Sequence, residues 1–131
     1  MTDEIDRLFE AARAVRANAH APYSKFHVGA AILTDAGTIH AGCNVEIASY
    51  PEGWCAETTA LGKMVASGER TVRAVLVIGD GPGLTTPCGG CRQRLAEFAG
   101  RDVPVHIADP GGVRASFTVG DLLPHGFVLA D

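Results

Sequence analysis

Apolar positions along the chain follow two different spacings. From residue 3 to residue 18 they recur every three or four residues, with acidic residues in the first turn, which predicts an amphipathic helix. Short apolar runs bounded by turn residues predict strands at 28–33, 38–43, 72–78, 103–108 and 113–119. Further helical segments are predicted at 55–67 and 88–98, with a short helical turn at 120–123.

The order of these elements predicts how they pack. Strands and helices alternate through the middle of the chain, so we expect an α/β fold with helices on the faces of a sheet. The helices that begin near residues 55 and 88 both follow strands, and their N-termini are therefore expected at one edge of that sheet, where ligands often gather. A length of 131 residues fits one domain, taken as 1–131.

Composition narrows the possible partners and the compartment. The formal net charge of −4 argues against a nucleic-acid partner, because such proteins usually present a basic surface. The acidic, amphipathic N-terminus does not resemble a signal peptide, and no apolar stretch has the length of a membrane span. The four cysteines resemble reduced ligands rather than a disulfide framework, so a cytoplasmic protein is expected.

Three of the four cysteines occur in two short motifs, Cys55-Ala56-Glu57 and Pro87-Cys88-Gly89-Gly90-Cys91. Cys88 and Cys91 are three residues apart and share a helix face, and Cys55 from a second helix would complete three thiolates. Catalytic zinc takes three protein ligands and leaves one position for water, whereas structural zinc takes four. The pattern therefore favours catalytic zinc, with a structural zinc completed by Cys43 or a histidine as the alternative.

Glu57 lies two residues after a predicted ligand, in the first turn of its helix. There it can stand beside the metal without coordinating it and move protons, as general acid–base catalysis requires. The alternative is that Glu57 is an acidic residue in a first turn, a common and favourable placement.

These residues, with several separated motifs in the same order, resemble the small homotetrameric zinc-dependent cytidine deaminases of pyrimidine salvage. The resemblance covers nearly the whole chain. It rests on the two cysteine motifs, the latter extended by Arg92-Gln93, and on Ala21-Pro22-Tyr23-Ser24-Lys25-Phe26, Val28-Gly29-Ala30-Ala31, Gly42-Cys43-Asn44-Val45-Glu46, Leu122-Leu123-Pro124 and Phe127.

The resemblance implies a fold, a reaction and a set of roles. The fold would be a three-layer α/β/α cytidine deaminase-like domain with a central mixed five-stranded sheet. The reaction would be hydrolytic deamination of cytidine or deoxycytidine, with zinc held by Cys55, Cys88 and Cys91 and protons moved by Glu57. Substrate contacts would come from Asn44 and Glu46 to the ribose, Phe26 to the pyrimidine, backbone near Ala56 and Thr86 to the base, and Phe127, Tyr50 and Ala48 across to a neighbouring subunit of the tetramer.

Several of these residues have a structural alternative. An asparagine at the end of a strand often caps or turns the backbone, which applies to Asn44. Phe26 and Phe127 have the character of ordinary core aromatics, and Cys43 that of a small buried hydrophobe. The five histidines show no ligand spacing and are interpreted as surface or structural groups.

The sequence departs from the family pattern at two positions. Many three-cysteine members carry an arginine directly after the glutamate, where this chain has Thr58, and an asparagine where it has Ile47. Because three thiolates on one Zn²⁺ leave a net negative charge, we expect Thr58, helix dipoles or Arg92 to offset it. The departures keep open a deaminase of a related aminopyrimidine nucleoside, such as a blasticidin-type antibiotic. A catalytically silent zinc-binding homologue is the remaining alternative, and an RNA- or DNA-editing enzyme is disfavoured by the acidic charge.

Overall fold

A computed structural model describes residues 3–129 of the chain, so the two residues at each end of the predicted domain lie outside the described part. The helices are α1 (Asp3–Arg16), α2 (Ala56–Ala66), α3 (Gly89–Phe98) and α4 (Val119–Leu122). The strands are β1 (Gly29–Thr34), β2 (Ile39–Cys43), β3 (Val72–Ile78), β4 (Pro104–Asp109) and β5 (Gly112–Thr118).

The five strands form one mixed sheet in the order β2-β1-β3-β4-β5. Strands β3 and β4 run parallel, and the other neighbouring pairs are antiparallel. Gly29 at the start of β1 pairs with the last residues of both β2 and β3, Cys43 and Ile78. The carboxyl ends of β2 and β3 therefore lie at the same edge, on either side of β1, and the chain leaves both of them toward a helix.

Apolar side chains on the two faces of the sheet form two separate cores. Helix α1 covers one face, where Leu8 and Ala12 pack with Leu33 and Leu76. Helices α2 and α3 cover the other face, with side chains such as Met64 and Leu95 packed on residues of β1, β3 and β4. Alternate residues of β1 contribute to opposite cores because successive strand side chains point to opposite faces. The predicted three-layer α/β/α fold with a mixed five-stranded sheet is confirmed.

The loop between β2 and α2 has no periodic pattern of apolar residues in its sequence, yet it is ordered in the structure. Residues Tyr50–Glu52 form a short 3-10 helix, and Val45 makes isolated bridges with both His20 and Trp54. These contacts fold the 44–55 segment back on the 20–28 segment, and the two segments together stand above the edge of the sheet where α2 and α3 begin. Within residues 3–129, no helix combines the length and the apolar character needed to cross a bilayer.

Candidate functional site

The three motif cysteines lie at the starts of two helices. Cys55 and Cys88 are the residues immediately before α2 and α3, both with extended backbone, and Cys91 lies in the first turn of α3 and is fully buried. Helix α2 is held against the end of β2, where the Thr59 hydroxyl donates to the Cys43 carbonyl at 2.9 Å. A side chain at Gly42 would collide with the backbone of α2, so glycine there permits the close approach that places Cys55.

The cysteine sulfurs are arranged as zinc ligands. All three Sγ atoms lie within 4.8 Å of one another, and those of Cys55 and Cys88 are 3.6 Å apart. Zn–S bonds of about 2.3 Å in tetrahedral geometry separate sulfurs by about 3.8 Å, so the spacing fits zinc. Among the described residues this group has three donors and includes neither Cys43 nor Glu57. A three-ligand site with room for a fourth, non-protein ligand fits this arrangement better than a four-ligand structural site.

The surroundings of the Cys91 sulfur favour a bound cation. The neighbouring Cys55 sulfur, burial and the Glu57 carboxylate all raise the pKa of the Cys91 thiol. A positive charge beside the Cys91 sulfur therefore favours its thiolate form. A bound Zn²⁺ supplies that charge, because metal coordination deprotonates thiols.

Glu57 is an acidic side chain kept almost entirely from solvent. Its exposed fraction is 4%, and burial raises the pKa of its carboxyl, while its own backbone N–H and the charge of Arg94 act in the opposite direction. A carboxyl with a raised pKa exchanges protons at pH values closer to neutrality, which suits a general acid–base group. The Glu57 side chain thus has the environment expected of a proton carrier beside the cysteines.

A cavity of about 480 Å³ opens from the cysteine group toward the two loop segments. Cys55, Cys88 and Glu57 line this end of the cavity, and we call them, together with the buried Cys91, the metal end. The opposite end, which we call the loop end, is formed by residues of the 20–28 and 44–54 segments. The lining residues are Tyr23, Ser24, Val28, Asn44, Val45, Glu46, Ile47, Tyr50, Gly53, Trp54, Cys55, Ala56, Glu57, Thr85, Thr86 and Cys88. The lining contains two carboxylates and, among the described residues, no lysine, arginine or histidine.

The polar side chains at the loop end are also bound to the backbone. Asn44 accepts from the Val28 N–H through Oδ1 at 2.9 Å and donates to the Phe26 carbonyl through Nδ2 at 2.9 Å. Glu46 accepts from the backbone N–H groups of Tyr23 and Ser24 through Oε1 at 3.0 and 3.1 Å, and from the Ser24 hydroxyl through Oε2. These hydrogen bonds lower the pKa of the Glu46 carboxyl, and the bond from the Ser24 hydroxyl has the largest effect.

Comparison with known proteins identifies the family. The family model for the cytidine and deoxycytidylate deaminase zinc-binding region matches residues 2–107. The chain belongs to this family. It is 41% identical over 128 residues to a cytidine deaminase of Sporosarcina psychrophila, with 98% of this chain and 94% of the relative covered. The predictions of a zinc-dependent deaminase and of zinc as its cofactor are thereby confirmed.

Solved structures of the family share the fold over nearly the whole chain. A cytidine deaminase from Burkholderia pseudomallei superposes with a TM-score of 0.88 at 45% identity, covering 97% of this chain and 100% of that one. A cytidine deaminase from Mycobacterium tuberculosis gives a TM-score of 0.82 at 36% identity, covering 98% of this chain and 100% of that one. The similarity to these cytidine deaminases therefore includes both the metal end and the loop end of the cavity.

Some of the residues predicted to contact substrate line the cavity, and others do not. Asn44, Glu46, Ala56 and Thr86 line the cavity. Tyr50 also lines it, with its ring 5.7 Å from that of Tyr23, so in this chain it contributes to its own cavity. The remaining three are not among the lining residues: Phe26 is 38% exposed, Ala48 is exposed on its loop, and Phe127 is 72% exposed while its backbone pairs with Gln93. Their roles stay predictions.

Arg92 was expected to lean toward the cysteine sulfurs, and the structure corrects this. Its guanidinium donates to the carbonyls of Pro87 and Leu122 and to the Thr86 hydroxyl, and so braces the segment that leads into α3. Arg94 reaches a sulfur instead, with Nη1 4.0 Å from Cys91 Sγ. Thr58 lies beside the cysteine group, as expected of a residue that helps to offset the thiolate charge, with its Oγ1 3.7 Å from the same sulfur.

Sequence reasoning also left cavity residues unassigned. Tyr23, Ser24, Trp54 and Thr85 all line the cavity, and Ser24 holds Glu46 in place. Tyr23 and Ser24 lie inside the motif at 21–26, which is the signal that marks them. Thr85 carries no comparable signal, because the 79–88 loop reaches the cavity only through the tertiary fold.

Proposed function

We propose that this chain catalyses the hydrolytic deamination of cytidine and deoxycytidine to uridine and deoxyuridine, as a single catalytic domain acting in pyrimidine salvage in the cytoplasm. The observation that carries the proposal is the buried Glu57 carboxylate beside three clustered cysteines, at one end of a cavity whose other end presents Asn44 and Glu46. The names of the relatives support the same substrate class.

The reaction adds water to C4 of the pyrimidine and releases the exocyclic amine as ammonia. Zinc, when bound to Cys55, Cys88 and Cys91, supplies a Lewis acid that lowers the pKa of water. Glu57 accepts a proton as the water oxygen adds to C4 and delivers it to the ring nitrogen. It then accepts the proton of the new C4 hydroxyl, as the C4 carbonyl forms, and delivers that proton to the departing amine, so that one carboxyl serves both steps. Its burial keeps these transfers away from bulk solvent.

The loop end is proposed to bind the sugar and to fix the base. Glu46 stays ionised because its pKa is lowered, and its remaining lone pairs accept from ribose hydroxyl groups. Asn44 is proposed to contact the same hydroxyls, and Phe26 the ring. Backbone groups near Ala56 and Thr86 are proposed to contact the carbonyl and amine of the base. In a homotetramer, Phe127 with Tyr50 and Ala48 would extend into the site of a neighbouring subunit.

The charge of the cavity favours a nucleoside over a nucleotide or a nucleic acid. The family includes deoxycytidylate deaminases by its description, and a 5′-phosphate needs a cationic or N–H-rich partner. This cavity offers two carboxylates and, in the described part of the chain, no lining cation. Deoxycytidylate and RNA or DNA strands are therefore expected to be poor substrates.

A substrate panel tests the proposal. Purified protein with one zinc per chain is incubated with cytidine, deoxycytidine, deoxycytidylate and blasticidin S, and the fall in ultraviolet absorbance is followed. Turnover of both nucleosides with little turnover of deoxycytidylate is expected. A folded, zinc-containing protein that turns over neither nucleoside contradicts the proposal.

The second candidate, a deaminase of an antibiotic of the blasticidin type, is favoured by one feature of the loop end. Ile47 and Trp54 make part of the cavity wall apolar. Replacing ribose by a modified sugar therefore costs fewer hydrogen bonds beside this wall than it would beside polar side chains. Preferential turnover of blasticidin S in the same panel selects this alternative. A folded, zinc-containing protein that turned over no compound of the panel would instead support a silent zinc-binding homologue, whose zinc binding Glu57→Gln should leave unchanged.

A further inference from the structure

Two side chains outside the cysteine group contact the Cys91 sulfur, and the one that comes from α3 is a cation. Arg94 lies three residues after Cys91, on the same face of the helix, and its Nη1 approaches Cys91 Sγ at 4.0 Å. The residue as a whole is exposed, yet its guanidinium lies against the first turn of α3, where it contacts the buried Cys91. Thr58 contacts the same sulfur from α2 at 3.7 Å and carries no charge.

The charge of the filled site explains why a cation belongs there. Three thiolates and one Zn²⁺ sum to −1, and the ionised Glu57 carboxylate beside them brings the total to −2. The starts of α2 and α3 offset this by roughly half a charge each. About one negative charge remains in a partly buried place, where a neighbouring guanidinium has a large effect.

Among residues 3–129, Arg94 is the cation that contacts a ligand sulfur. The nearest other candidate on the same helix, Arg92, has its guanidinium committed to Pro87, Leu122 and Thr86. Arg94 forms no ion pair with a carboxylate in the described part of the chain, so its charge is not neutralised elsewhere.

The absence of a side chain at Gly90 is a second, independent observation that supports the position of the Arg94 guanidinium. A Cβ atom at position 90 would lie 2.9 Å from Arg94 Nη1. The bare backbone of the first turn of α3, between the two ligands Cys88 and Cys91, therefore leaves the room that the guanidinium occupies. A side chain as small as alanine would push it away from the sulfur.

We infer that Arg94 is a positioning residue of the metal end, which stabilises the zinc-bound thiolates from α3 by a charge-assisted contact with Cys91. The inference rests on the zinc site and holds whichever aminopyrimidine is the substrate. Partners of metal ligands commonly contribute ten- to a hundredfold to metal affinity. A loss of about tenfold is therefore expected when the Arg94 contact is removed.

Zinc release in the absence of substrate measures this contribution. Arg94→Gln removes the charge, Arg94→Lys keeps it, and Gly90→Ala keeps it but displaces the guanidinium. Arg7→Gln, on α1 at the other face of the sheet, is the matched control for net charge. Each protein is loaded with zinc, its fold is checked by circular dichroism, and transfer of zinc to a coloured chelator is followed at one pH.

Arg94→Gln is expected to release zinc about tenfold faster than the unaltered protein. Arg94→Lys should restore part of the difference, Gly90→Ala should release faster by several-fold, and Arg7→Gln should match the unaltered protein. If Arg94→Gln does not fold, Gly90→Ala decides, since alanine is a better helix former than glycine. Unchanged release from both variants overturns the inference, as does equal acceleration by Arg7→Gln.

Cobalt in place of zinc provides a readout that a purely structural role would not change. The sulfur-to-metal charge-transfer absorption should move to longer wavelength in Arg94→Gln, because a thiolate without the contact gives up an electron more easily. An unshifted band, in a protein that binds cobalt fully, overturns the inference. Because no measurement here uses a nucleoside, absence of cytidine turnover with normal zinc retention contradicts the proposed function and leaves this inference standing.

Discussion

The metal end and the loop end of the cavity each hold one carboxylate, and the two carboxylates lie in opposite environments. Glu57 is buried, and burial raises its pKa. Glu46 is bound by two backbone N–H groups and the Ser24 hydroxyl, and these hydrogen bonds lower its pKa. Groups whose environments separate their pKa values in this way are suited to different tasks. Glu57 is suited to carry protons, and Glu46 to remain an ionised hydrogen-bond acceptor.

The largest expected effect comes from exchanging each carboxyl for its amide. Glu57→Gln should lower kcat by a factor of about 10² to 10⁴, the usual contribution of a general acid–base group, while the protein retains its zinc. Glu46→Gln should act mainly on KM. Steady-state kinetics with cytidine and zinc analysis measure both, and Glu97→Gln on the exposed side of α3 is the control. If Glu46→Gln lowered kcat as much as Glu57→Gln, the division of tasks would be wrong.

Removing zinc from the metal end should destabilise the folded protein. A metal that binds only the folded state at a hundredfold excess over its Kd stabilises that state by about 2.7 kcal/mol. For a chain of this size, chelation should therefore lower Tm by roughly 10 °C. Differential scanning calorimetry with and without chelator measures the change, and added zinc should reverse it.

Two cysteine variants make that experiment specific. Cys88→Ser removes a ligand, so its Tm should no longer respond to chelator. Cys43→Ser alters the cysteine that lies outside the group, so its response should persist. A lost response in Cys43→Ser would show that Cys43 binds the metal after all.

The pairing of Cys88 with Cys91 at the metal end could be predicted from sequence because short-range geometry determines it. Two cysteines at a three-residue spacing on a helix must share a face, whatever surrounds them. The same locality explains why the bounds predicted for strand 72–78 agree with β3, and why Gly68 ends α2 in the left-handed region, with φ of 98°. Patterns within one element depend little on the rest of the molecule.

Long side chains and loops were predicted less well, because distant groups decide their conformation. Arg92 turns away from the cysteines because it finds an acceptor at Leu122, thirty residues away in sequence. The contact of Arg94 with Cys91 depends on the space beside Gly90, which no periodicity shows. Likewise, the bridge from Val45 to Trp54 orders a loop whose sequence has no regular pattern.

At the loop end, Asn44 is expected to contribute to stability as well as to binding. Its amide ties the Val28 N–H and the Phe26 carbonyl, so Asn44→Ala leaves two backbone groups without these partners. The expected cost is about 1–3 kcal/mol in the free energy of unfolding. Urea denaturation measures the cost, with Asn18→Ala at an exposed position as control. Normal stability with a raised KM would assign Asn44 to the substrate alone, and zinc release should match the unaltered protein in either case.

The smallest expected effect is the pH dependence of the stability that Glu46 provides. A carboxyl whose folded-state pKa is lowered stabilises the fold at pH values above its unfolded pKa, and that contribution disappears as pH falls through the folded-state pKa. The free energies of unfolding of the unaltered protein and of Glu46→Gln should therefore differ at neutral pH and converge in acid. Urea titrations of both proteins at a series of pH values measure this difference, in which zinc loss, common to both, cancels. A difference that widened toward acid would mean that the Ser24 and Tyr23 contacts do not favour the charged form of Glu46, and the contrast with Glu57 would then rest on burial alone.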